Sequence, residues 1–330
     1  MTKIRVLMRL LPLAMAACAT AAQAQTVWKL ASGYSEQAFQ TLNLKQFAQE
    51  VAAATGGRLM IEVHANNTLY KLGDIPGKVE SGAIAAGETI MSNLAAEIPV
   101  AGADSVPFIV GSYDDARRLW TAQRPVLAVE LARKGLVGLY AVAWPPQGLY
   151  SVKQIKVASD LAGTKMRTYN AATQRIAEQL GARPVAVMMT DLDKAMADGR
   201  VESMLTSGTT GIDSHAWQHM KYFYDIHAWY PKNIVLVNQA AYAALDPGTR
   251  SGLLAAAAAA EARGWQMSRN AEAASLTELA AHGMHVDTVD FEFRNEMRRY
   301  GERFSVEWVR ATGQGASAIL IPYYVTAVSR

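Results

Sequence analysis

The chain of 330 residues contains a single cysteine. It is Cys18, and it falls inside an N-terminal stretch with the marks of an export signal. Lys3, Arg5 and Arg9 precede the apolar run Leu10–Ala17, and Ala22-Gln23-Ala24 supplies the small residues of a cleavage site. Residues 1–24 are therefore expected to be a secretory signal, with Gln25 as the mature start. A lipoprotein site at Cys18 is the alternative, disfavoured by the residue three positions before it. Beyond residue 24 there is no cysteine, which excludes disulfides and thiolate metal sites. Excess charge is also missing. Of 32 basic residues the signal takes three, leaving 29 against 29 acidic ones, so nothing demands the basic face of a nucleic-acid binder. No later apolar run is both long enough and free enough of charge to span a bilayer. The expectation is an exported, soluble, periplasmic protein that holds itself by core packing alone, and its 51% apolar content can supply that.

What the sequence does have is strand–helix alternation. Val27–Ala31 and Leu59–Val63 read as strands around a helix from Gln37 to Ala54 that Gly56-Gly57 closes. Helix Ile75–Ser81 and strand Thr89–Ser92 follow. The pattern resumes after residue 148 with strands Leu149–Val152, Thr164–Tyr169, Pro184–Val187, Val201–Leu205 and Ile234–Asn238. Asp246-Pro247 opens a helix expected to exceed 30 residues, since Asp caps well and Pro suits the first turn. That length exceeds one small domain. A strand at His285–Val289 and a last substantial helix, Phe291 to Thr312, complete an α/β fold with mostly parallel strands.

Several segments suggest chemistry. Thr206-Ser-Gly-Thr-Thr-Gly211 resembles the phosphate loop of acyl-adenylate-forming ligases. However, no lysine follows it, the chain is short for that class, and an exported protein meets little ATP. His215 and His219 would share a helix face and could hold a metal, but no third ligand is near. Ser207, Asp213 and His215 hint at a hydrolase, without the Gly-x-Ser-x-Gly elbow. Arg167, at the end of a short strand before a helix near Ala171, is the residue type that grips a carboxylate through two parallel hydrogen bonds.

Six segments in order resemble the periplasmic solute-binding proteins of TRAP transporters, the DctP family. They are Leu30–Tyr34 with Phe47–Val51 and Thr55–Val63; Val106-Pro-Phe108; Leu161–Arg167; Leu180–Val185; Asp198–Glu202; and Val237-Asn238. The resemblance implies a two-lobed periplasmic binding protein fold with hinge strands and a long helix spanning both lobes. Residues 25–144 plus 233–272 would form lobe I, and 145–232 plus 273–330 lobe II. It implies that Arg167 binds the carboxylate of a small organic acid in the interlobe cleft, and that TRAP permease subunits in the membrane are the partner. The chain departs from the family where it has Thr206-Ser207-Gly208 in place of an asparagine, and Gln147 in place of a second arginine. The expected shell is Tyr34, Glu88, Ser92, Asn93, Trp144, Gln147, Asn170, Thr206, Ser207, Gly208 and Trp229 around Arg167, with Pro146 beside it. That set favours a compact monocarboxylate with an apolar or aromatic body. No cofactor, metal or catalytic group is expected, and the protein reads as a monomeric binding protein rather than an enzyme. An exported hydrolase and a sensor that presents a bound acid are the alternatives.

Overall fold

The structure is a computed structural model that describes residues 25–289 and 291–328. The expected signal segment 1–24, Cys18 included, lies outside the described residues.

Strand β1 (Thr26–Ala31) buries Trp28 and Leu30 on one face. Helix α1 (Phe39–Ala54) buries Leu44, Phe47 and Val51 at helical spacing and ends at Gly56 and Gly57, whose φ of 60° and 76° suit glycine. Then come β2 (Leu59–His64), α2 (Ile75–Glu80), β3 (Ala86–Ile90), α3 (Tyr113–Arg133) and β4 (Leu136–Ala143). The chain crosses once and builds β5 (Gln147–Ser151), β6 (Lys165–Thr168), α4 (Ala171–Gln179), β7 (Arg183–Ala186), α5 (Leu192–Ala197), β8 (Ser203–Ser207), α6 (Gly208–Asp213) and β9 (Tyr222–Tyr224). It returns through β10 (Lys232–Asn238) and α7 (Gln239–Ala243) to the long α8 (Pro247–Ala281). Strand β11 (His285–Asp287) and helices α9 (Phe291–Thr312) and α10 (Gln314–Val328) end it.

Two sheets result. The first has the order β2-β1-β3-β10-β4 and the second β11-β9-β5-β8-β6-β7. Each is the centre of one lobe. The strands are less parallel than expected: β10 runs antiparallel to both β3 and β4, and β5 antiparallel to both β8 and β9. These are the strands next to the crossings, which must enter a lobe against its prevailing direction. The two crossings, Trp144–Pro146 and 225–231, bond to each other. Trp144 N–H donates to Pro231 O at 2.8 Å, Gln147 N–H to Trp229 O at 2.9 Å and Ala228 N–H to Gln147 O at 2.9 Å. They form a double-stranded hinge.

Helix α8 is the third connection. Its 35 residues make a rod roughly 50 Å long. Asp246 caps it, accepting from Thr249 N–H at 3.0 Å, with Pro247 in the first turn. Leu253, Ala256, Ala257 and Ala260 join the first-lobe core, and Leu279 joins a core of the second. The rod approaches the first sheet closely: a Cβ on Gly264 would come within 2.4 Å of Val142 Cγ2.

The last helix departs from the sequence reading. The sequence suggests no substantial helix after Thr312, and the resemblance places 273–330 in lobe II. Instead Gly313, at φ 61°, turns the chain into α10. That helix lies on α3 of the first lobe, where Ile319 and Tyr323 enter the core and Tyr323 Oη donates to Ile109 O at 2.9 Å. Pro322 inside an apolar run disguises the helix in the sequence. Among the described residues, no helix is long and apolar enough to cross a membrane.

Candidate functional site

Between the lobes lies a small cavity of about 60 Å³, partly open to solvent. From the second lobe, Gln147, Arg167, Tyr169, Thr206, Ser207 and Thr210 line it, with Met188 and Met189 at its edge. From the first lobe come Tyr34, Leu72, Ile90, Asn93 and Trp144, and from the hinge Pro231.

Arg167 is the charged group of this cavity. It sits on β6, paired by register with Val185 of β7 and Met204 of β8. Strand pairing on both sides fixes its backbone, and only 4% of the residue remains exposed. Its Nε–H donates to Val187 O at 3.0 Å, and its guanidinium lies 5.0 Å from the centre of the Tyr169 ring. Those contacts aim it without neutralising it. No carboxylate is among the groups acting on its charge; burial lowers its pKa to about 10, so it stays cationic at neutral pH. A guanidinium has five N–H donors, and one is engaged in this way. A buried cation without an internal counter-ion is costly unless an anion arrives.

The first lobe presents neutral groups. Asn233 Oδ1 accepts from Tyr34 Oη at 3.1 Å and from Trp144 Nε1 at 2.8 Å. The two rings stand 5.0 Å apart, so one amide fixes both against the cavity. Asn93 also lines the space, and its Nδ2 donates to Thr89 Oγ1 at 3.1 Å.

The expected residues thus fall into two sets. Arg167, Tyr34, Asn93, Trp144, Gln147, Thr206 and Ser207 line the cavity. Five others do not. Glu88 is buried beneath the wall, where its Oε2 accepts from Ser32 Oγ at 2.7 Å. Ser92 and Asn170 bond each other across the lobes, Asn170 Nδ2 donating to Ser92 Oγ at 2.7 Å, while Asn170 Oδ1 caps α4. A Cβ on Gly208 would meet Ser275 Oγ of α8 at 2.3 Å, so this glycine serves helix contact. Trp229, 1% exposed, packs in the second-lobe core. Sequence reasoning missed Tyr169, Asn233, Thr210 and the Met188-Met189 pair. Tyr169 had a signal, since it is two residues from Arg167 and so on the same face of the strand end.

The glycine-rich stretch owes its composition to packing. Ser207 Oγ caps α6 by accepting from Thr210 N–H at 3.2 Å, and a Cβ on Gly211 would strike Tyr150 Oη at 2.1 Å. The other hydroxyl neighbours of Ser207 Oγ are Thr209 at 2.8 Å and Thr210 at 3.1 Å, and no histidine bonds to it. His219 Nε2 lies 3.3 Å from Asp193, and the ring of His215 meets Trp217 edge-on. Among the described residues no group of three or more His, Cys, Asp or Glu is placed to hold a metal.

Solved structures resemble this architecture throughout. DctP6, a Bordetella pertussis extracytoplasmic solute receptor binding pyroglutamic acid, is 39% identical over 91% of this chain and 99% of its own, with a TM-score of 0.89. A marine metagenome TRAP solute-binding protein specific for pyroglutamate is 34% identical over the same shares, with a TM-score of 0.88. A curated solute-binding protein of Albidiferax ferrireducens is 27% identical over 174 residues, 51% of this chain and 50% of its own length. The match therefore spans about half of that curated relative. The model of the bacterial extracellular solute-binding proteins, family 7 (DctP), matches residues 30–307. The chain belongs to this family of extracellular solute-binding proteins.

Proposed function

We propose that this protein is the periplasmic receptor of a TRAP transporter, and that it captures a small cyclic monocarboxylate, pyroglutamate foremost, for delivery to a membrane permease. The observation that carries the reading is Arg167: a nearly buried guanidinium facing an interlobe cavity with no acid among the groups that act on it. A carboxylate would occupy its unengaged N–H groups through charge-assisted bonds, strong where water is excluded. The Asn93 side-chain amide suits a ring N–H, and Ile90, Leu72 and the Trp144 ring suit methylenes. Two receptors above 30% identity, one binding pyroglutamic acid and one specific for pyroglutamate, support the same ligand class. Closure of the lobes is favoured by the contacts the ligand makes with both of them. Binding of this kind needs no nucleophile, cofactor or general base, and the protein works as a receptor rather than an enzyme.

Isothermal titration of the wild type with pyroglutamate tests the reading, and saturable binding is expected. Arg167→Ala should weaken binding by about 2–5 kcal/mol, roughly 30-fold to several thousand-fold. Arg167→Lys should bind poorly because an ammonium lacks the two-pronged grip. Unchanged affinity in Arg167→Ala would remove the assignment.

A further inference from the structure

Glu88 is an acid in an unusual place. It is 2% exposed and lies in β3, opposite Val235 of β10, while Ile90 lies opposite Asn233. Residues two apart on a strand share a face, so Glu88 stands one step behind Ile90 and Asn233 on the side that leads to the cavity. Ile90 lines that cavity, and Asn233 holds Tyr34 and Trp144 there. Tyr34, which lines the cavity with Arg167, is near enough to both Glu88 and Arg167 to feel their charges.

The groups facing Glu88 offer it no cation. Ser32, following β1, donates to it, and the Asn233 amide is beside it on β10. Tyr140 of β4 interacts with it, and behind Tyr140 stand Glu50 of α1 with Glu261 and Arg263 of α8; Arg263 is committed to Glu50. Lys232 holds a register position on the opposite face of β10 and pairs with Asp104. The charged groups of α2, Lys78 and Glu80, belong to the helix on the other side of β3, which packs on Gly87. Burial therefore dominates and pushes the Glu88 carboxyl up to about 7.

Resting on the reading of this cleft as a carboxylate receptor, we propose that Glu88 is a proton site linked to capture: an anion entering the cavity draws a proton from solvent onto the Glu88 carboxylate. The physical reason is like-charge repulsion in a place closed to water. A second negative charge in the cavity, beyond Asn233 and the Tyr34 it holds, disfavours the ionised acid. The proton adds to the acid and no other bond changes.

The test is titration calorimetry with pyroglutamate near pH 7 in buffers of different ionisation enthalpy, repeated across pH 6 to 9. The wild type should take up a fraction of one proton. Its affinity should fall as pH rises above neutrality, by up to about tenfold per unit, and level off below. Glu88→Gln, which imitates the protonated acid, should bind as the wild type does at low pH, with no buffer-dependent heat and a flat pH profile. A wild type that binds with heat independent of buffer and affinity independent of pH overturns the coupling and leaves the receptor reading standing. A wild type that does not bind pyroglutamate overturns the ligand assignment and the coupling together. Should Glu88→Gln fail to fold, carboxyl ¹³C shifts of glutamate-labelled wild type decide. One buried glutamate must titrate near neutrality and move to higher pH on ligand addition; a carboxylate that stays ionised through both titrations overturns the proposal.

Discussion

Two buried cations serve this molecule in opposite ways. Lys232 opens β10 at the hinge, fully closed off, with Asp104 at 3.5 Å and equally buried. Asp104 also accepts the Lys232 backbone N–H at 2.7 Å, so the pair ties the returning crossing to the first lobe. Burial raises the Asp104 pKa and lowers that of Lys232, and each partner opposes the shift of the other. Arg167 is nearly as buried but has a carbonyl and a tyrosine ring where Lys232 has a carboxylate. A counter-ion supplied from within makes a structural joint; a buried cation without one is left open to an anion from outside.

Asp104→Ala should destabilise the protein by about 3–5 kcal/mol in urea denaturation, because Lys232 is left charged and alone. Arg167→Ala, which deletes an unbalanced charge, should keep the unfolding free energy of the empty protein within about 1 kcal/mol of the wild type or above it. If the two variants lose equal stability, the contrast is wrong. Next is Glu88, whose pKa rises from an ordinary 4.5 to about 7 in the fold. The folded state then holds the proton more tightly than the unfolded chain. The stability contributed is fully present below pH 4.5 and is lost as pH climbs to about 7, on the order of 3 kcal/mol. Thermal melts of ligand-free wild type should fall across that window and those of Glu88→Gln should not; parallel curves would refute the shift. The smallest effect concerns the uncharged bridge between the lobes. Ser92→Ala removes the acceptor of Asn170 and should weaken ligand binding by about 0.5–1.5 kcal/mol, a few-fold by calorimetry. A loss as large as that of Arg167→Ala would mean that the bridge, not the charge, governs capture.

Much of the architecture is legible in the residues because the signals are local. The Asp246-Pro247 start and the long alanine-rich stretch specify α8, and Gly56-Gly57 stops α1 where only glycine sits easily. Arg167 owes its reading to a position at a strand end and to the motif around it. The rest of the cavity is decided by tertiary pairing. Asn233 follows Lys232 at the start of a strand whose centre is apolar, and only its register against Ile90 brings it beneath Tyr34. Trp229 and Trp144 look alike in sequence, yet one enters a core and the other a wall, depending on which side of the hinge each falls. Glycines mislead for a related reason. Gly208 and Gly211 resemble a ligand loop, while their lack of a side chain is used to let α6 approach α8 and Tyr150.

The rod-like α8 limits how the halves can move. It is seated at its middle where Gly264 presses on Val142, and nearer its C-terminal end where Ser275 meets Gly208, both contacts too close for even a methyl group. A beam clamped at two supports resists twist and sliding far more than gentle flexure. With the paired crossings acting as a pivot, the lobes are left one easy mode, a bite like that of sprung tweezers.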